Sequence, residues 1–152
     1  MANFVICLTA WLLGPKFGTL SVVIYLVLGA IGIPVFSGYG AGLAKLAGPT
    51  GGYLVGYLLL AFIGGMFIEK SKGNPVVSAV GLVLGDAACY VLGTAWFVFQ
   101  MQCELGYALT VCVYPFIALD LAKIVVSCIV GALLRKRLTQ AGVLKLQNAV
   151  SE

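Results

Sequence analysis

The sequence predicts an all-α integral membrane protein, a polytopic helical bundle forming a single domain over residues 1–152. Three observations lead there. Hydrophobic residues fill 62% of the 152 positions and charged residues only 9%, against about 45–50% and about 25% in ordinary soluble domains. The apolar residues gather into long runs with no strand-like alternation. The basic residues lie almost entirely between and after those runs. A water-soluble fold of this size could not cover its surface with so few charges, and a bilayer removes that demand.

Five apolar runs appear in order, 4–13, 17–33, 53–68, 76–99 and 108–134. A helix needs about 20 residues to cross the hydrocarbon core, with a range near 17–25. The first run is too short to cross and ends at the turn Gly14-Pro15-Lys16. It does not read as a signal peptide, because no basic region precedes it and no small-residue cleavage site precedes Gly14. The second and fourth runs have spanning length, and the third nearly does. The fifth is too long for one span and contains Pro115, which removes a helical hydrogen bond and breaks the run. A short helix, a break and a spanning helix over 117–134 are expected there. Residues 135–152 form a basic tail.

Basic residues set the orientation. With Arg135-Lys136-Arg137 in the cytoplasm, the loop 100–105 is external and carries no Lys or Arg, and the loop 69–74 with Lys70 and Lys72 is internal. The segment 34–52 is then external with the single lysine Lys45, and Lys16 is internal. Apart from Lys123 inside a run, every Lys and Arg except Lys45 is cytoplasmic, as the positive-inside rule requires. The same count places the N-terminus outside on a stub of about ten apolar residues, so a further helix is expected before it. Gly52 with Gly56, and Gly81 with Gly85, are small-xxx-small pairs suited to close helix packing in lipid.

Several function classes are disfavoured. The chain has no histidine, the commonest general base and metal ligand. Cys7, Cys89, Cys103, Cys112 and Cys128 show no metal-ligand spacing and read as small, mostly buried apolar residues. No metal or other cofactor is expected. Nothing matches GxxxxGK[ST], so no nucleotide loop is expected, and no basic stripe alternates with aromatics as nucleic-acid binding would need.

Three features carry candidate chemistry. Asp120 and Lys123 lie in an apolar run three residues apart and therefore on one helix face. Charges within spans cost several kcal/mol unless paired or hydrated, and they often mark functional sites. A lysine can neutralise a ligand carboxylate, and an aspartate can accept from amide-like N–H groups. A structural ion pair with a snorkelling lysine fits the spacing equally well. Asp86 is a lone mid-span carboxylate with Tyr90 four residues on, suited to a cavity wall, to proton coupling or to a hydrogen bond with a neighbouring helix. The segment Pro34-Val35-Phe36-Ser37-Gly38-Tyr39-Gly40-Ala41-Gly42 is too apolar for a free loop. Irregular backbone at membrane depth survives only against protein or a cavity, so this is a lid, a pocket wall or a plain re-entrant turn. Glu104, in an external loop, needs no functional explanation.

These residues resemble the BioY-type biotin-binding subunits of energy-coupling-factor transporters. The resemblance rests on Leu13-Gly14-Pro15-Lys16-Phe17-Gly18, then Gly29-Ala30-Ile31-Gly32-Ile33-Pro34-Val35-Phe36-Ser37-Gly38. It continues through Gly48-Pro49-Thr50-Gly51-Gly52-Tyr53, Tyr90-Val91-Leu92-Gly93, and Pro115-Phe116 followed by Asp120-Leu121-Ala122-Lys123. It covers nearly the whole chain in unchanged order. It implies a six-helix membrane fold with a vitamin pocket near the outer surface, in the plasma membrane of a bacterium. By this resemblance Asp120 and Lys123 contact biotin, with the carboxylate at Lys123 and the ureido ring at Asp120 or loop backbone. The loop from Phe36 through Gly38, Tyr39 and Gly40 to Gly42 closes over the ligand. Phe36, Tyr39, Tyr53 and Tyr90 are candidate walls, and Asp86 a further candidate contact. The implied partners are biotin, membrane lipid, a coupling membrane protein and cytoplasmic ATPase subunits on other chains, with no nucleic acid and no reaction catalysed by this chain.

Two features depart from the family pattern. Leu119 replaces the glycine usual before the aspartate, and by the resemblance the family's first helix is expected to lie before the first run, outside these 152 residues. An ion- or proton-coupled carrier using Asp86 and Asp120 is the main alternative. A lipid-modifying transferase lacks a nucleophile–base pair, and a purely structural subunit would have no need of the buried Asp120–Lys123 pair.

Overall fold

Apolar runs longer than a turn or two must satisfy their backbone groups internally in lipid, and helices do so within one segment. In a computed structural model, which describes residues 2–36, 38–72 and 74–142, the chain forms six helices. They are α1 (Ala2–Ala30), α2 (Leu43–Ala47), α3 (Gly51–Lys70), α4 (Pro75–Met101), α5 (Leu105–Cys112) and α6 (Tyr114–Gln140). Three unbroken helices, α3, α4 and α6, are long and apolar enough to cross a membrane, and α1 reaches that length only by counting across a kink at Gly14. Ser37 of the glycine-rich loop and residues 143–152 of the basic tail lie outside the described residues.

α1 is two limbs, 2–13 and 15–30. Gly14 stands at φ 74°, ψ −173°, outside the helical region, and Pro15 follows it. The chain doubles back there. A Cβ added to Gly18 would lie 3.4 Å from the Cα of Ala10, whereas eight residues of unbroken helix would separate them by about 12 Å. The turn packs on α3, where a Cβ at Gly65 would stand 2.6 Å from Pro15 Cα. The turn expected at Gly14-Pro15-Lys16 is therefore present and packed against a neighbouring helix.

The expected break near Pro115 is also present. α5 ends at Cys112, Val113 is the junction, and Pro115 occupies the first turn of α6, where its missing N–H costs no helical bond. α6 starts three residues before the expected position and runs on to Gln140, so Arg135, Lys136 and Arg137 belong to its last turns. α2 was not expected; it is a five-residue helix within segment 34–52.

α3 packs most extensively on α4 and α1. The glycines make this possible. Gly52 meets Trp96, Gly56 meets Cys89, Gly81 meets Phe67 and Gly85 meets Leu60, each leaving no room for a side chain without displacement. Both small-xxx-small pairs thus lie in the α3–α4 interface. Trp11, Leu60, Ile68, Leu82 and Ile124 form the core where α1, α3, α4 and α6 meet. The outer surface is apolar as well, with Val91 70% and Phe99 77% exposed, which suits contact with lipid and not with water.

Two ends of the bundle differ. At one end, the loop end, Trp96 Nε1 donates to Gly48 O at 3.0 Å and Gln100 Nε2 to Ala47 O at 3.0 Å. These bonds tie the C-terminal part of α4 to the segment around α2, and the starts of α3, α5 and α6 lie at this end. The opposite, basic end carries Lys16, Lys70, Lys72 and Arg135–Arg137. There Ser71 Oγ and Ser78 Oγ are 3.1 Å apart, and Asn74 caps α4 by accepting from Val76 N–H.

Candidate functional site

A cavity of about 450 Å³ opens between α3, α4, α5, α6, the start of α1 and the loop segment. Its size falls within the roughly 300–1,000 Å³ usual for small-molecule sites. Six residues singled out in the sequence line it: Phe36, Tyr53, Asp86, Tyr90, Asp120 and Lys123. They come from a loop and three helices, so only the fold brings them together.

Asp120 is the centre of the polar network. It stands six residues into α6, about 9 Å from the helix start. Lys123 Nζ donates to its Oδ1 at 2.8 Å, and Tyr90 Oη, from α4, donates to its Oδ2. The side chains of Asp120 and Lys123 are 10% and 27% exposed, so the pair is largely withdrawn from solvent but reachable from the cavity. The Ser127 hydroxyl, one turn on, donates to Lys123 O at 2.6 Å. An ion pair in this setting keeps spare capacity. The ammonium has two further N–H donors and the carboxylate further lone pairs, side by side and facing the cavity.

Aromatic rings form the walls. Tyr53 and Tyr90 meet edge to face with centroids 6.4 Å apart, and Tyr53 Oη is 3.0 Å from Thr94 Oγ1. Phe36 is buried, packs edge to face on Tyr25 at 5.5 Å, and lies flat against Gly29, where no other residue would leave it room. Deeper in the bundle, Asp86 Oδ1 accepts from Asn3 Nδ2 at 3.0 Å. This hydrogen bond joins α4 to the first turn of α1. Among the described residues no group of three or more His, Cys, Asp or Glu could hold a metal ion.

The three other predicted loop residues lie elsewhere. Gly38 and Tyr39 line a neighbouring cavity of about 660 Å³ between the two limbs of α1 and the loop, and Tyr39 is 90% exposed. Gly40 pairs with Phe36, whose N–H donates to Gly40 O at 3.1 Å. The loop therefore presents Phe36 to the cavity beside Asp120 and turns Tyr39 away from it. Phe36 and Ala2 line both cavities.

The sequence reading missed Asn3, Lys45, Thr50, Tyr57, Cys89, Cys112 and Phe116, all of which line the cavity. Two of them carried a signal. Asn3 is an amide at the edge of an apolar run, and Lys45 is the only lysine of its segment. The others are apolar or weakly polar residues whose direction only the fold reveals.

A profile of the BioY family matches residues 1–140. The biotin transporter BioY of Thermotoga maritima is 40% identical over 133 residues, covering 88% of this chain and 78% of that protein. The probable biotin transporter BioY of Pyrococcus horikoshii is 36% identical over 128 residues, covering 84% of this chain and 74% of that protein. Among solved structures, the S-component for biotin from an ECF-type ABC transporter superposes with a TM-score of 0.82 at 34% identity. That match covers 88% of this chain and 73% of the other. A multi-pass helical bundle, a cavity built on Asp120, and a family profile spanning nearly the full sequence lead to one conclusion: this chain belongs to the BioY family.

Proposed function

We propose that the chain takes part in biotin uptake as the membrane-embedded, substrate-capturing subunit of an energy-coupling-factor transporter, and that biotin occupies the cavity around Asp120. The observation that carries this reading is the Tyr90–Asp120–Lys123 network facing a cavity with aromatic walls, in a chain whose relatives are biotin transporters.

Biotin is an apolar bicycle with a cyclic urea at one end and an alkyl carboxylate at the other. A cyclic urea needs a donor for its carbonyl and an acceptor for its N–H groups. Lys123 and Asp120, held 2.8 Å apart, offer that combination. The sequence alone pointed Lys123 at the carboxylate. The ion pair argues for the urea instead, because the charge of Lys123 is already balanced by its neighbour. Tyr53, Tyr90 and Phe36 then pack against the bicycle, and the loop closes the site through Phe36.

Binding of this kind needs no cofactor and no bond chemistry, so the chain acts as a binding subunit and not as an enzyme. Energy is supplied by a coupling membrane protein and cytoplasmic ATPases on other chains, with no role for nucleic acid. In the plasma membrane of a bacterium, surrounded by lipid, the loop end faces outward and the basic end, with the C-terminus, faces the cytoplasm. The test is retention of labelled biotin by the purified chain in detergent, beside Asp120→Ala and Lys123→Ala. Saturable binding that falls sharply in both variants is expected. Absence of binding by the unaltered chain would remove the biotin assignment and favour a gradient-driven carrier.

A further inference from the structure

Lys45 lines the same cavity as Asp120 and Lys123 and comes from a different part of the molecule, the α2 segment at the loop end. Its placement is fixed by the backbone around it. Lys45 N–H donates to Gly42 O at 3.1 Å, and the carbonyls of Ala47 and Gly48 just beyond are held by Gln100 and Trp96 of α4. The four charged residues lining the cavity divide unevenly. Asp86, Asp120 and Lys123 lie on the membrane helices, where two carboxylates face one ammonium. Lys45 has no hydrogen-bonding or ion-pair partner for its ammonium among the described residues, where Lys123–Asp120 is the one salt bridge found. An anionic group is therefore repelled by the helix cluster and attracted to Lys45.

We propose that Lys45 receives the carboxylate of the bound ligand, and so makes the site select a free acid over its ester or amide. The inference rests on the biotin reading above and adds the end of the ligand which that reading leaves unassigned. An ammonium on a four-carbon stem suits this task. It is a compact charge with three rotatable donors and follows the end of a flexible alkyl chain without demanding one angle. The planar urea meets the fixed Asp120–Lys123 pair, and the mobile carboxylate meets a mobile cation. The ligand then lies with its neutral ring inward and its charge toward the loop end.

The test compares equilibrium binding of biotin and biotin methyl ester to the full chain in detergent, for the unaltered protein, Lys45→Gln and Lys45→Arg. A charge-assisted hydrogen bond contributes about 1.5–3 kcal/mol, which is roughly tenfold or more in affinity. The unaltered chain is expected to prefer biotin to the ester about tenfold. Lys45→Gln should lower biotin affinity to about the level of the ester while leaving the ester's own affinity unchanged, and Lys45→Arg should restore the preference. If Lys45→Gln binds biotin as tightly as the unaltered chain, or weakens both ligands equally, the assignment is overturned while the biotin site itself stands. If the unaltered chain binds neither ligand, the biotin reading fails and this inference fails with it.

Discussion

Lys123 Nζ donates to Asp120 Oδ1 at 2.8 Å, within one turn of α6 and largely out of solvent. The second carboxylate oxygen is held from α4 by Tyr90. Asp120 is thus fixed by two helices before any ligand arrives, which lowers the ordering cost of binding. The pair also explains how two charges persist at this depth, since each is the other's counter-ion.

Because the pair acts as a unit, its removal is not additive. Asp120→Ala strands the Lys123 ammonium, and Lys123→Ala leaves Asp120 with Tyr90 alone. The double variant should be more stable than the sum of the single losses implies, with a coupling of about 1 kcal/mol or more. Thermal unfolding of the four proteins in one detergent measures it, and strictly additive losses would show that the pair contributes no coupling.

Tyr90→Phe keeps the ring against Tyr53 and deletes only the hydroxyl that holds Asp120. A single hydrogen bond contributes about 0.5–1.5 kcal/mol, so biotin affinity should fall by roughly two- to tenfold with little change in unfolding temperature. Equilibrium binding and thermal unfolding on the same preparation check both halves of the expectation.

The Asn3–Asp86 hydrogen bond predicts a contrast in stability. Asn3→Leu leaves the Asp86 carboxylate without its partner and should cost about 1–3 kcal/mol. Asp86→Asn keeps an oxygen that accepts from Asn3 and should cost less. Equal losses in thermal unfolding would mean that the hydrogen bond contributes nothing distinctive.

The helix seam predicts sensitivity by position. Gly56→Val inserts a side chain where Cys89 of α4 already sits, and overpacking of this kind costs about 1–3 kcal/mol. Gly106→Ala, on α5 with open space around it, should fold as the unaltered chain does. Comparing the folded, monodisperse fraction of each variant after detergent extraction tests the difference.

Much of this was legible in the sequence, and the parts that were not share a physical reason. The runs showed where helices lie because lipid forces unbroken apolar segments into helices. Gly14 and Pro115 announced their breaks because glycine admits backbone angles outside the helix and proline lacks the helical N–H. The end of α6 was harder to place, since Arg135 to Leu138 and Gln140 are good helix formers that carry the helix past the apolar run. Asp120 and Lys123 stood out because charge in lipid is costly wherever it points. Tyr39 and Phe36 could not be told apart, because an irregular glycine-rich backbone has no period from which to read side-chain direction. Asn3 and Lys45 sit more than 40 residues apart in sequence and meet one cavity only after α1 has doubled back.

The most direct test of the central claim, that biotin occupies the cavity beside Asp120, is thiol protection. Cys112 lines that cavity, while Cys103 lies on the connection between α4 and α5 and is not among its lining residues. Site-resolved mass spectrometry would follow labelling of both thiols by a small thiosulfonate, with and without saturating biotin. Biotin is expected to slow labelling of Cys112 several-fold or more and to leave Cys103 unchanged. Labelling of Cys112 at its unprotected rate, in protein shown to have biotin bound, would place the vitamin elsewhere and contradict the account.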